Sequence, residues 1–247
     1  MERKWGMRYP KLREQVRIGG VVFDLRMVVV LWVTTIVTMV YHYHGNFLFS
    51  WLRPLGLERY SAGSLGIGHN QFALFFVVPL AVVLLMGDSP ADYGLRIGRW
   101  KEGLVWLAVV CPLILVMLLL VVRGSDLESM YRHAYYDRVS ADSSPIMKQA
   151  RMLYATGVLL WGWEYLLRGF CLFGLARVLG PGPAIFIQMV PFAILHLGKA
   201  EIETMSTWLS GVGFGFVAWR TQSFLYAFLI HWFMLVMTIL IAVGSLG

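Results

Sequence analysis

The stretch Leu159-Leu160-Trp161-Gly162-Trp163-Glu164-Tyr165-Leu166-Leu167-Arg168-Gly169-Phe170 sets a carboxylate and a guanidinium inside an apolar run that extends from about 150 to 179. A run of that length can cross a hydrocarbon core, which takes about 20 mostly apolar residues. The rest of the chain agrees: of 247 residues, 58% are hydrophobic and 14% charged, with a mean hydropathy of +0.67. A soluble domain carries about a quarter charged residues. The low charge excludes disorder, the lack of a Gly period excludes a collagen-like chain, and two cysteines, Cys111 and Cys171, are too few for a disulfide scaffold. Working outward, further spans fall near 26–44, 70–87, 103–122, 183–197, 204–219 and 223–243. Together they predict an all-α, polytopic helical membrane protein of about seven to eight transmembrane helices with a polar intramembrane pocket, folded as a single membrane domain over 1–247.

The connections carry their own signals. Pro54, Gly56, Gly63, Gly66 and Gly68 mark 45–69 as a loop with a surface helix, and Arg123 to Met147 is the longest polar stretch. Asp88-Ser89-Pro90 ends the second span and offers a cap for an amphipathic piece from Tyr93 to Glu102. The net charge of +7 is concentrated at the N-terminus, where Arg3, Lys4, Arg8, Lys11, Arg13 and Arg17 face only Glu2 and Glu14. Residues 1–25 therefore read as a basic cytoplasmic segment touching anionic lipid, with no nucleic-acid partner implied. Met27 to Tyr43 is too long for a signal-peptide core and stays as a span. With the N-terminus inside, Lys and Arg number twelve on the inner side and eight on the outer. This favours N-in, C-out.

Ionisable groups inside a span cost at least a few kcal/mol each and mark function by default. Glu164 and Arg168, four residues apart, share a helical face and can pair. Phe192 and His196 likewise share a face of the fifth span, and His231 lies about two turns into the seventh. The turn Gly180-Pro181-Gly182-Pro183 folds spans four and five into a hairpin that brings Glu164 and His196 level, each roughly 21 to 24 Å from the turn at about 1.5 Å per residue. Spans five and six, of about 15 residues each, are too short to cross alone. The polar link from Gly198 to Glu203 is thus expected to dip into the membrane and line a watery cavity. Blander readings stand beside these: a Glu-Arg pair can simply lock helices, and a histidine can be a helix-helix hydrogen-bond partner. His42 and His44, beside Tyr41 and Tyr43, read as interfacial anchors; Lys199 and Glu201 as a solvated loop pair; His69 and Asn70 as the cap of the second span.

At these residues the chain resembles the CPBP family, the CAAX-protease and bacteriocin-processing group of intramembrane endopeptidases. The family pattern is a Glu-Glu-x-x-x-Arg helix, a Phe-x-x-x-His helix and a final His-x-x-x-Asn/Asp. Here the matching positions are Trp163-Glu164-x-x-x-Arg168-Gly169, Phe192-x-x-x-His196, and His231 followed by Leu235. The resemblance covers about 150 to 235, with 150–243 as the catalytic helix core and a fainter echo at Asp92-Tyr93-Gly94-Leu95-Arg96. It departs at two places, where Trp163 replaces the first Glu and Leu235 replaces the Asn/Asp. What it implies is a multi-pass protein of the bacterial inner membrane that cleaves a peptide bond near the C-terminus of a membrane-bound or lipidated protein or peptide. Glu164, Arg168, His196 and His231 are then the catalytic candidates, with Glu164 activating water. Trp163, Phe192, Lys199 and Glu203 are the candidate substrate contacts. A zinc ion held by His196, His231 and Glu164 and a metal-independent glutamate mechanism both remain open. No H-E-x-x-H and no G-x-S-x-G is present. The alternative is an inactive relative acting as a bacteriocin-immunity or peptide- and lipid-binding protein; a transporter ranks last, for want of an inverted pair of broken helices.

Overall fold

The structure is a computed structural model and describes residues 15–45, 54, 63–138 and 144–245. Most of the expected 45–69 loop and the basic residues before Gln15 lie outside the described residues. The first described element is an antiparallel hairpin of β1 (Gln15–Ile18) and β2 (Val21–Asp24), turned at Gly19-Gly20 and not foreseen from the sequence. Asp24 then caps α1 (Leu25–His44), its side chain accepting from the Met27 amide at 3.1 Å. Helix α2 (Gly63–Phe72) continues through a π-helical turn (Ala73–Val77) into α3 (Val78–Leu85), and α4 (Trp100–Val121) follows. Helix α5 (Asp126–Arg138) occupies much of the polar stretch.

Helix α6 (Pro145–Glu164) starts at the Ser144 cap with Pro at its first position, an arrangement that presets the helical φ where no amide partner is needed. It runs without a break through a π-helical segment (Tyr165–Cys171) into α7 (Leu172–Leu179), 35 residues or roughly 50 Å in all. Gly180, at φ 80° and ψ 167°, joins it to α8 (Pro181–Ile194) in a single residue, a conformation open essentially only to glycine. Last come α9 (Glu201–Thr221) and α10 (Leu225–Ala242).

Among the described residues five helices are long and apolar enough to cross a membrane, with α8 a shorter apolar one, so the chain is an integral, multi-pass membrane protein. Within an apolar 18-residue stretch of the α6-α7 rod 83% of residues are buried, which makes the rod the central post, whereas the corresponding share in α4 is 6%, so α4 offers its sides to lipid. Two expectations change. Helix α9 has 21 residues, longer than the expected span, because it begins at Glu201 and carries Glu203 in its first turn. The link between α8 and α9 keeps six residues but shifts to Leu195 to Ala200. Asp88 is no helix cap: it is buried, its carboxylate bound by Arg26 and by Arg177 at 3.3 Å and accepting from the Tyr93 hydroxyl at 2.9 Å. Burial pushes the Tyr93 phenol above its ordinary value, which keeps it a donor.

Candidate active site

The α6-α7 rod presents Glu164 and Arg168 at the entry to its π-helical segment, a local widening often found where helices carry function. Arg168 Nη1 donates to Glu164 Oε1 at 2.9 Å, and both side chains have no solvent exposure. The guanidinium also lies over the rings of Phe192, 4.1 Å from its centroid, and Phe214, at 5.3 Å. From α10, His231 Nδ1 reaches the same Glu164 Oε1 at 2.7 Å. A carboxylate can only accept here, so Nδ1 carries the proton and Nε2 is the nitrogen left for other partners.

His196 follows the end of α8. Its Nδ1 donates to the Phe192 carbonyl, four residues earlier, at 2.8 Å, which again leaves Nε2 free. Nε2 stands 3.7 Å from Glu203 Oε1, which accepts from Lys199 Nζ at 2.7 Å, while Glu203 Oε2 accepts from the Tyr131 hydroxyl at 2.8 Å. Lys199 therefore pairs with Glu203 and not with Glu201, which is exposed. The expected levelling of Glu164 with His196 is present, since the adjacent Trp163 ring meets the His196 ring edge-on at 5.3 Å. Phe192 stands between the histidines, 4.5 Å from His196 and 5.7 Å from His231 by ring centroids.

A cavity of about 370 Å³ opens beside these groups. His196, Lys199, Glu203 and His231 give it a polar end, with Trp163 and Phe192 at the same end. Met117, Leu118 and Val121 of α4, Leu127 of α5 and Met234 and Leu235 of α10 make an apolar remainder. All four expected substrate contacts thus line it. Of the four expected catalytic residues, only the two histidines do; Glu164 and Arg168 lie behind the wall. Three lining residues escaped the sequence reading. Tyr41, expected at the interface, turns inward, where its hydroxyl accepts from Gln71 Nε2 at 2.7 Å; Gln71 Oε1 accepts from Trp163 Nε1 at 2.7 Å; and Tyr131 supports Glu203. These contacts join residues 30 to 92 positions apart, and no local spacing announces them.

The set does not fit the expected metal ligands. Glu164 Oε1 already accepts from two donors, and among the described residues no three His, Cys, Asp or Glu side chains gather closely enough to hold an ion.

The cavity also has a direction. Tyr41 approaches Trp163 while Val30, earlier on α1, packs at Gly174, so α1 runs antiparallel to the α6-α7 rod. The cavity is bounded by the C-terminal ends of α1 and α4, by α5 and by the first half of α9, all far from the Gly180 turn. The opposite end gathers Asp88 with Arg26 and Arg177, and Glu102 with Arg220.

A family model described as Type II CAAX prenyl endopeptidase Rce1-like matches residues 145–237. Neither a curated protein nor a solved structure matches the chain.

Proposed function

Taking residues 145–237 as a domain of the CAAX-protease family, we propose that this chain is an intramembrane endopeptidase acting on a membrane-bound protein or peptide whose reactive segment enters the cavity. The observation that carries the reading is the convergence of two histidines on one cavity, His196 from the link after α8 and His231 from α10, each with Nδ1 engaged and Nε2 free. Hydrolysis needs a held water, a proton acceptor, charge stabilisation at the carbonyl oxygen and a proton for the leaving amine. His231 is fixed in its tautomer by Glu164, much as a buried carboxylate orients a catalytic histidine elsewhere. The geometry favours Glu164, at the back of the wall, as the positioning residue of this pair over the water activator expected from sequence. Arg168 in turn fixes Glu164. Lys199 is the one Lys or Arg among the described residues lining the cavity, and it can offset charge growing on a carbonyl oxygen. No step is routed through a metal.

The apolar remainder of the cavity suits a lipidated or strongly apolar peptide. The Arg-rich end opposite the cavity suits the cytoplasmic side, so the N-terminus lies in the cytoplasm and the cavity opens outward.

A second reading has its own support. Trp163 fills with an indole the position of the family's first Glu, and Leu235 lines the cavity where the family has Asn or Asp. On that reading the pocket binds a peptide or lipid without cutting it. Purified protein in proteoliposomes, incubated with a library of lipidated and unlipidated peptides, separates the two: new peptide termini read by mass spectrometry support the endopeptidase, and retention of intact peptides supports the binder.

A further inference from the structure

We infer that Glu203, on α9, is the carboxylate that activates water in this site, acting with His196 Nε2; the inference rests on the endopeptidase reading. Two carboxylates lie near the histidines, Glu164 buried and Glu203 partly exposed, and they differ in access. Glu164 has no exposure, does not line the cavity, and spends one oxygen on both Arg168 and His231. Its other oxygen has no partner among the described residues and is closed off from solvent. A water could reach it only by displacing the wall.

Glu203 lies on the cavity side. Its side chain keeps 16% exposure and lines the polar end together with His196. The 3.7 Å between Oε1 and Nε2 is too long for a direct hydrogen bond, and with Nδ1 protonated both atoms are acceptors. Two acceptors at that spacing suit one water, at about 2.8 Å from each, donating one hydrogen to either side. The oxygen lone pair then faces the cavity, where a peptide carbonyl would lie. Lys199 and Tyr131 each donate one bond to the carboxylate and fix its plane, leaving further lone pairs to accept from water. Position on the first turn of α9 adds the favourable end of the helix dipole for a negative charge. The side of His196 turned to α6 is covered by the Trp163 ring, so the polar partner of this histidine comes from across the link.

The step balances with these groups alone. The water oxygen bonds to the carbonyl carbon, and one water proton passes to the Glu203 carboxylate. As the C–N bond breaks, Glu203 returns that proton to the leaving nitrogen; the second water proton stays on the new carboxyl group and is lost to solvent. Glu203 ends as it began.

The test uses full-length protein in proteoliposomes with the same peptide library, plus one observable that needs no turnover. Glu203→Gln should lower kcat by at least about 100-fold, the ordinary worth of a positioned general base. KM should change less than about threefold, and Glu203→Asp should recover part of the loss. In ¹⁵N NMR of ring-labelled histidine, Glu203→Gln should move the His196 resonances and leave those of His231, whereas Glu164→Gln should do the reverse. Cleavage by Glu203→Gln within about threefold of wild type overturns the inference and leaves the endopeptidase reading standing. Unmoved His196 resonances in Glu203→Gln overturn it as well. A wild-type protein that cuts no library peptide overturns the endopeptidase reading, and the catalytic role of Glu203 with it.

Discussion

Neutralising Glu164 while keeping its shape, as Glu164→Gln, should destabilise the protein strongly, and removing Arg168 as well should relieve most of the damage. Arg168 has no exposure, its Nη1 donates to Glu164, and its Nε and Nη2 have no hydrogen-bond partner among the described residues. Without the carboxylate's charge, an amide oxygen and the Phe192 and Phe214 rings are what faces the cation among the described residues, and ring faces contribute about 0.5 to 2 kcal/mol. Breaking a buried pair from one side costs about 3 to 5 kcal/mol, because a charge is left uncompensated. At about 2 to 4 °C per kcal/mol for a chain of this size, the midpoint should fall by roughly 6 to 20 °C. Replacing both members, Glu164→Gln with Arg168→Met, removes the charge and keeps the volume, so the double variant should lie nearer wild type than Glu164→Gln does. Thermal unfolding in one detergent, read as loss of monodisperse protein, gives all four corners of the cycle. A shift under about 2 °C in Glu164→Gln, or strict additivity in the double variant, would refute the claim that the pair is closed and mutually dependent.

Other expectations follow from neighbouring contacts. His231→Ala should abolish cleavage while the protein still accumulates in the membrane, measured by product formation against the amount of protein in isolated membranes. Gly103→Ala should destabilise by about 1 to 3 kcal/mol through overpacking, since an added Cβ would come within 2.2 Å of the Tyr226 ring where α4 meets α10; the melting midpoint reports it. In a background lacking Cys111 and Cys171, cysteines at Ala200 and Gly182 should be labelled by an impermeant thiol reagent from opposite faces, Ala200 from outside. Labelling of both from one face would sink the hairpin geometry, and the reverse pattern would invert the orientation alone.

The sequence carried the fold where the physics is local. Apolar runs announce α1, α4 and α10, and a four-residue spacing announces the Glu164-Arg168 pair. The Gly180 turn placed Glu164 and His196 at one depth, because rise per residue is fixed in a helix. What stayed hidden depends on tertiary contact. Helix α9 looked too short because Glu201 and Glu203 hide its first turn; its start lies at the extended Ala200, and the Thr204 hydroxyl donates back to the His196 carbonyl at 2.8 Å. Tyr41 read as an interfacial ring until Gln71 gave its hydroxyl a partner. Asp88 read as a cap until Arg26 and Arg177 met it from helices 62 residues before and 89 residues after. The roles of Glu164 and Glu203 separate for the same reason, since access to a cavity is no property of a residue's neighbours in sequence.

The most direct test of the central claim compares wild-type protein and His196→Ala, at matched amounts in proteoliposomes, for new peptide termini released from a lipidated and unlipidated peptide library. Cleavage by the wild type that disappears in His196→Ala is the predicted result. No cleavage by the wild type, or equal cleavage by both, would contradict the assignment of this cavity as a protease site.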